Sequence, residues 1–114
     1  MSRVVAWVPD LLFGSKVLEL LRAGGHEATL VPDAAGLATA AADADVVVVD
    51  LTAEAAARVA ALQGLDLGGA RTLAFYSHVE AETRALAERA GLDRVVPRSR
   101  MAREGAQLVE ALAR

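Results

Sequence analysis

The sequence contains no cysteine, and only 4% of its residues are aromatic. The absence of cysteine excludes disulfides, thiolate metal sites and cysteine nucleophiles. The hydrophobic fraction is nevertheless 54%, so the core has to be built from valine, leucine and alanine. Such small and smooth side chains favour helices packed closely on a sheet.

Long apolar runs are also missing. No stretch approaches the roughly 18 residues needed to span a bilayer, and residues 1–3 lead straight into a predicted strand instead of a signal peptide. The net charge is −3, with the charges dispersed along the chain, which gives no general attraction to nucleic acid or to an acidic membrane surface. We therefore expect a cytoplasmic protein without a nucleic-acid or membrane partner. The length of 114 residues fits one domain, residues 1–114.

The most informative stretch is residues 44–50, in which four consecutive valines stand between Asp45 and Asp50. A short β-branched run of this kind is typical of a strand buried on both faces, as in the middle of a parallel sheet. Ligands of open parallel sheets gather beyond the carboxyl ends of the central strands. Asp50 is therefore the first candidate site residue, although an Asp in this place is also common as a helix or turn cap.

Apolar runs and helical periodicity alternate along the rest of the chain. The predicted strands are residues 4–8, 26–31, 44–50, 72–77 and 94–96, and the predicted helices are residues 11–23, 34–42, 53–63, 80–90 and 101–113. Asp10 and Thr52 are predicted helix caps. Five βα units with short connections predict an α/β fold, a doubly wound, flavodoxin-like five-stranded parallel sheet of order 2-1-3-4-5.

The predicted strand ends bring polar residues to one edge of this sheet. They are Asp10 after strand one, Asp50 after strand three, Ser77 and His78 after strand four, and Arg98 after strand five. This arrangement resembles the receiver domains of response regulators over nearly the whole chain. The resemblance implies that Asp50 accepts a phosphoryl group, that Asp10 and Asp50 hold Mg²⁺, and that Ser77 is the switch hydroxyl.

The sequence also departs from the usual receiver pattern. Pro9 precedes Asp10 where receivers have paired acids, which predicts weaker binding of Mg²⁺ because fewer carboxylates are present. The usual Lys-Pro after strand five is replaced by Pro97 and Arg98, and arginine does not substitute simply for lysine. The segments 10–16, 75–79 and 97–99 thus indicate an atypical branch. In it, Arg98 would be the charge partner of Asp50 and could make phosphorylation unnecessary, as in a pseudo-receiver.

Other chemistry is disfavoured by the sequence. Ser77 and His78 are adjacent in a strand and point to opposite faces, so with Asp50 they do not form a hydrolase triad. Gly14-Ser15-Lys16 lacks the spacing of a phosphate loop and lies inside a helix. The arginines Arg94, Arg98, Arg100 and Arg103 form either a solvated face, a docking surface for an acidic partner, or an anion site in which Arg98 and the amides of the last helix hold phosphate.

The functional expectation is a stand-alone, receiver-like domain of two-component signalling or of a phosphorelay. It would act through contacts with a protein partner, a histidine kinase or a downstream effector, and a homodimer is left open. We expect no enzymatic activity beyond self-phosphorylation and autodephosphorylation at Asp50. Two alternatives remain: a phosphorylation-independent interaction or dimerisation module, and a binder of a small phosphate-bearing ligand at the carboxyl edge of the sheet.

Overall fold

The structure is a computed structural model that describes residues 2–77 and 81–114. Strands and helices alternate throughout these ranges, as the sequence predicts. The strands are β1 (Arg3–Trp7), β2 (Glu27–Val31), β3 (Val46–Asp50), β4 (Arg71–Tyr76) and β5 (Arg94–Pro97). The helices are α1 (Leu11–Ala23), α2 (Ala34–Ala40), α3 (Ala55–Gln63), α4 (Ala81–Arg89) and α5 (Arg98–Ala113), and a short 3₁₀ turn, Ala41–Asp43, follows α2.

The five strands form one parallel sheet in the order β2-β1-β3-β4-β5. The predicted fold class and strand order are therefore confirmed. All five residues of β3 are buried, because this strand lies between two neighbours and is covered by helices on both faces. Asp50, the last residue of β3, stands opposite Phe75 of β4 in the register.

The alternating side chains of β3 divide the core into two layers. Val46 and Val48 belong to the layer covered by α1 and α5. Val47 and Val49 belong to the layer covered by α2, α3 and α4. The carboxyl ends of the strands thus meet between two sets of helices, which is where the candidate residues lie.

Helices α1 and α5 approach each other closely at Gly24, the residue after α1. A Cβ atom at Gly24 would lie 2.5 Å from the Cβ of Ala106, a separation too short for two carbon atoms. Beside this contact, the buried ring of His26 bonds through Nε2 to the carbonyl oxygen of Ala106 at 3.0 Å. Glycine is therefore required at position 24 by packing.

Two helix starts differ from the prediction, and both affect the site. Helix α3 begins at Ala55 instead of residue 53, and Thr52 is not its cap, because the amide and hydroxyl of Thr52 bond to Asp50. Helix α5 begins at Arg98 instead of residue 101. Pro97 is extended, with φ −63° and ψ 149°, and the chain becomes helical at the next residue. Arg98 is therefore in the first turn of α5 instead of in the predicted loop.

The other boundaries agree with the prediction or differ from it by one or two residues. The second strand begins at Glu27, and the second helix ends at Ala40 before the 3₁₀ turn. Two predictions fall on residues that the structure does not describe. One is the position of His78 at the carboxyl edge of the sheet, and the other is the start of the fourth helix at Glu80.

Candidate functional site

Asp50 is almost fully buried and its carboxylate already has partners. The residue is 3% exposed. Its Oδ1 accepts hydrogen bonds from the backbone N–H of Thr52 at 2.8 Å and from the Thr52 hydroxyl at 2.5 Å. This is an Asx-type turn, which folds the chain back onto the end of β3. The same turn explains why Thr52 cannot cap α3.

The positive charge beside Asp50 comes from Arg58 of α3. Nη1 of Arg58 donates to the backbone carbonyl of Asp50 at 2.7 Å and lies 3.7 Å from the carboxylate Oδ2. The side chain of Arg58 is 12% exposed and that of Asp50 is 5% exposed, so the ion pair is shielded from solvent. The carbonyl bond anchors the guanidinium and fixes its distance from the carboxylate.

Glu54 adds a second carboxylate to Arg58 from the solvent side. Its Oε2 lies 3.8 Å from Nη2 of Arg58, and its side chain is 77% exposed. Glu54 has φ 50° and ψ 39°, and it is the non-glycine residue with positive φ in the described chain. This left-handed conformation costs about 1–2 kcal/mol for a residue with a Cβ. Glu54 adopts this conformation at the N-cap of α3, where the turn after β3 ends.

Asp10 is predicted either to cap the first helix or to bind Mg²⁺, and in the structure it caps α1. Its Oδ1 accepts from the backbone N–H groups of Leu12 at 3.0 Å and Phe13 at 3.3 Å. Its contacts are therefore with α1. Within residues 2–77 and 81–114, no group of three His, Cys, Asp or Glu side chains is placed to hold a metal ion.

Arg98 occupies a different position from the one that the pseudo-receiver hypothesis gave it. Its guanidinium carbon lies 4.1 Å from the centre of the Phe13 ring, and Phe13 in turn packs on Phe75 with ring centres 5.1 Å apart. The predicted pairing of Arg98 with Asp50 is wrong, because the early start of α5 directs this side chain toward α1. The cation that neutralises Asp50 is Arg58.

Ser77 is half-buried and lines a cavity of about 460 Å³ at the carboxyl edge of the sheet. The other described residues of its wall are Phe13, Lys16, Arg98, Ser99 and Ala102. Asp50 is not one of them. The residues predicted for one pocket are therefore separated. Asp50 lies in a closed pair with Arg58, Ser77 and Arg98 line an open cavity, and Asp10 caps α1.

Arg58 is the residue that sequence reasoning missed. The only signal in the sequence is the spacing of Glu54 and Arg58, four residues apart on a helix, which predicts a surface ion pair. Nothing in that spacing indicates that Arg58 also reaches back to the end of β3. The contact depends on the turn at Thr52 and on the late start of α3.

Comparison with solved structures relates this geometry to known proteins. The receiver domain of a Francisella response regulator superposes with a TM-score of 0.84 over 99% of this chain and 97% of its own, at 14% identity. The receiver domain of a sensor histidine kinase from Pseudomonas aeruginosa, with a magnesium ion coordinated in its active site cleft, gives 0.79 over 98% and 97%, at 14% identity. The chain has the receiver-domain fold.

A further similar structure is a putative pilus assembly-related protein from Burkholderia pseudomallei. It has a TM-score of 0.82 and 19% identity over 99% of this chain and 90% of its own. No protein-family model and no curated protein matches the sequence. The resemblance to receiver domains that the sequence predicts is confirmed at the level of the fold by the superpositions on solved receiver domains.

Helices long and apolar enough to cross a membrane are absent from the described part of the chain.

Proposed function

We propose that this chain is a receiver-like signalling domain that acts by binding a protein partner and does not depend on phosphorylation of Asp50. The observation that carries the proposal is the closed state of Asp50. Its carboxylate is buried, bonded by Thr52 and paired with Arg58. The receiver fold of the chain supports the signalling role.

Phosphoryl transfer to a carboxylate requires an accessible oxygen that can attack phosphorus in line. Oδ1 of Asp50 accepts two hydrogen bonds, and Oδ2 faces the guanidinium of Arg58. A phosphoryl donor would have to displace these contacts and reach a side chain that is only 5% exposed. The arrangement therefore disfavours a reaction at Asp50 and stabilises a single state of the loop after β3.

The residues at this edge also do not fit a Mg²⁺ site. Mg²⁺ demands octahedral coordination by oxygen ligands. Asp10 and Asp50 are the two predicted ligands, and Oδ1 of each accepts from neighbouring backbone amides. Oδ2 of Asp50 lies 3.7 Å from Nη1 of Arg58, whose positive charge repels a metal cation. We therefore assign no metal-dependent step to the site.

A protein partner fits the exposed surface beside this edge. The exposed large hydrophobic side chains of the described residues are Leu11 and Leu12, at 71% and 85% exposure. They lie next to each other in the first turn of α1, directly after Asp10. Burial of such side chains against another protein would be favourable. Histidine kinases and downstream effectors are the partner classes to which the resemblance points.

The test is the response of the protein to beryllofluoride with Mg²⁺, a mimic of a phosphorylated aspartate. Backbone amide spectra of the wild type and of Asp50→Asn are compared before and after its addition, with a phosphorylatable receiver domain as the positive control. We expect the wild-type spectrum to remain unchanged while the positive control responds. Shifts around residues 50–58 in the wild type that are absent from Asp50→Asn would overturn the proposal.

That outcome would instead support the conventional function. Asp50 stands at the end of the central strand, which is the position that the receiver resemblance assigns to the phosphoacceptor. A response there would mean that Arg58 and Thr52 release the carboxylate readily.

A further inference from the structure

The cavity beside Ser77 carries two cations and two hydroxyl groups on one concave surface. Lys16 comes from α1, and Arg98 and Ser99 come from the first turn of α5. Ser77 follows the end of β4. Three separate elements of the fold therefore place hydrogen-bond donors around the same space.

These donors have no hydrogen-bond or charge partner within residues 2–77 and 81–114, and the contact of Arg98 is with the face of the Phe13 ring. Neither Lys16 nor Arg98 takes part in an ion pair there, and the hydroxyls of Ser77 and Ser99 form no hydrogen bond there. None of the described residues of the wall is acidic. Two other cavities of the molecule are lined by a cation together with two carboxylates, Glu27 and Asp43 in one and Asp33 and Glu54 in the other. A third cavity, which shares Lys16 and Ala102 with the one at Ser77, also contains Glu19. The described wall of the cavity at Ser77 thus differs from all three in carrying two cations and no carboxylate.

The guanidinium of Arg98 is also held in place before any ligand binds. It lies over Phe13, and Phe13 is fixed by Phe75. Stacking on an aromatic ring occupies the face of a guanidinium and leaves the N–H groups at its edge free to donate to an oxyanion. Arg98 therefore loses less conformational freedom on binding an anion than an unsupported arginine would.

We infer that this cavity binds the phosphate group of a small phosphomonoester. Two cations and two hydroxyl donors match the charge and the acceptor oxygens of a phosphate group. The volume of about 460 Å³ lies in the range of small-molecule sites, which leaves space for an organic portion beside Phe13 and Ala102. Binding is reversible and involves no covalent step. The inference goes beyond the proposed function, since Asp50 is not part of this wall.

The experiment is a titration of the full chain with inorganic phosphate and with glycerol 3-phosphate, at constant ionic strength maintained with sodium chloride. Backbone amide shifts are followed at Lys16, Ser77, Arg98 and Ser99. We expect saturable shifts at these amides, with tighter binding of glycerol 3-phosphate. Lys16→Gln and Arg98→Gln should each weaken binding by about tenfold, as expected for the loss of a charge-assisted contact.

Arg103→Gln is the matched control. Arg103 is an exposed cation of the same helix, paired with Glu104, and is not in the cavity wall. It should change the affinity by less than about twofold, because Arg103 lies outside the cavity wall and salt screens its exposed charge. Absence of saturable shifts, or equal losses in all three variants, would overturn the inference. Binding of phosphate without binding of glycerol 3-phosphate would overturn the assignment of a phosphomonoester.

Failure of this inference is distinguishable from failure of the proposed function. The proposed function fails if Asp50 responds to a phosphoryl mimic. The anion site fails if Lys16 and Arg98 do not control reversible binding, and Asp50→Asn should leave that binding unchanged.

Discussion

The guanidinium of Arg58 donates to the carbonyl of Asp50 at 2.7 Å and lies 3.7 Å from its carboxylate. One side chain of α3 thus satisfies both the backbone and the charge at the end of the central strand. The contact occupies the position at which the receiver resemblance places chemistry, and it is the observation on which the proposed phosphorylation-independent function rests.

The first prediction concerns the energy of this pair. Arg58→Met should lower the free energy of unfolding by about 3 kcal/mol, because the carboxylate of Asp50 would stay buried without its cation. The measurement is urea unfolding of the wild type, both single variants and the double variant Asp50→Asn with Arg58→Met. The double variant should be more stable than the sum of the single losses predicts, since its remaining amide needs no counter-charge.

Arg84→Gln is the control for that cycle. Arg84 pairs with Glu88 at 3.6 Å, but both side chains are more than half exposed. Its loss should change stability by less than about 0.5 kcal/mol. Additive effects of the Asp50 and Arg58 variants would show that the two side chains are not coupled.

The second prediction concerns the stability of variants at Glu54, which has a left-handed backbone conformation. Glu54→Asn and Glu54→Ala both remove the exposed contact with Arg58, but asparagine tolerates positive φ better than alanine. Glu54→Asn should therefore be more stable than Glu54→Ala by about 0.5–1 kcal/mol. Thermal and urea unfolding of the two variants measure this difference. Equal stabilities would argue that residue 54 does not hold a left-handed conformation in solution.

The third prediction concerns the packing of α1 on α5. Gly24→Ala should destabilise the protein by about 1–3 kcal/mol, because the new Cβ would meet Ala106 and force the helices apart. Gly64→Ala is a close control, since Gly64 also follows a helix and has nearly the same backbone angles, φ −86° against −81°. Its Cβ would lie 3.6 Å from the nearest atom, an ordinary contact.

Gly64→Ala should therefore be neutral or stabilising by up to about 1 kcal/mol, because alanine restricts the unfolded chain. The comparison of the two variants by urea unfolding removes the general effect of replacing glycine. A loss of equal size at both positions would contradict the role assigned to the contact of Gly24 with Ala106.

The fold could be predicted from the sequence because its signals are local. The four valines of β3 indicate a strand buried on both faces, and Asp10 before an amphipathic segment indicates a capped helix. The alternation of such signals then leaves few topologies, because parallel strands require crossover connections of one hand. Strand order and the position of Asp50 follow from that alternation.

The site could be predicted only in part, because its contacts depend on where two helices begin. The sequence locates Asp50, Ser77 and Arg98 near one edge, but not their partners. Helix α3 begins after the turn at Thr52, and its Arg58 contacts Asp50. Helix α5 begins at Arg98, and the side chain of Arg98 contacts Phe13. The cation beside Asp50 is therefore Arg58 instead of the predicted Arg98.

The most direct test of the account is the intact mass of the protein after incubation with acetyl phosphate and Mg²⁺, measured beside Asp50→Asn and a phosphorylatable receiver domain. We predict no phosphoryl adduct on the wild type under conditions that modify the positive control. An adduct of one phosphoryl group on the wild type that is absent from Asp50→Asn would contradict it.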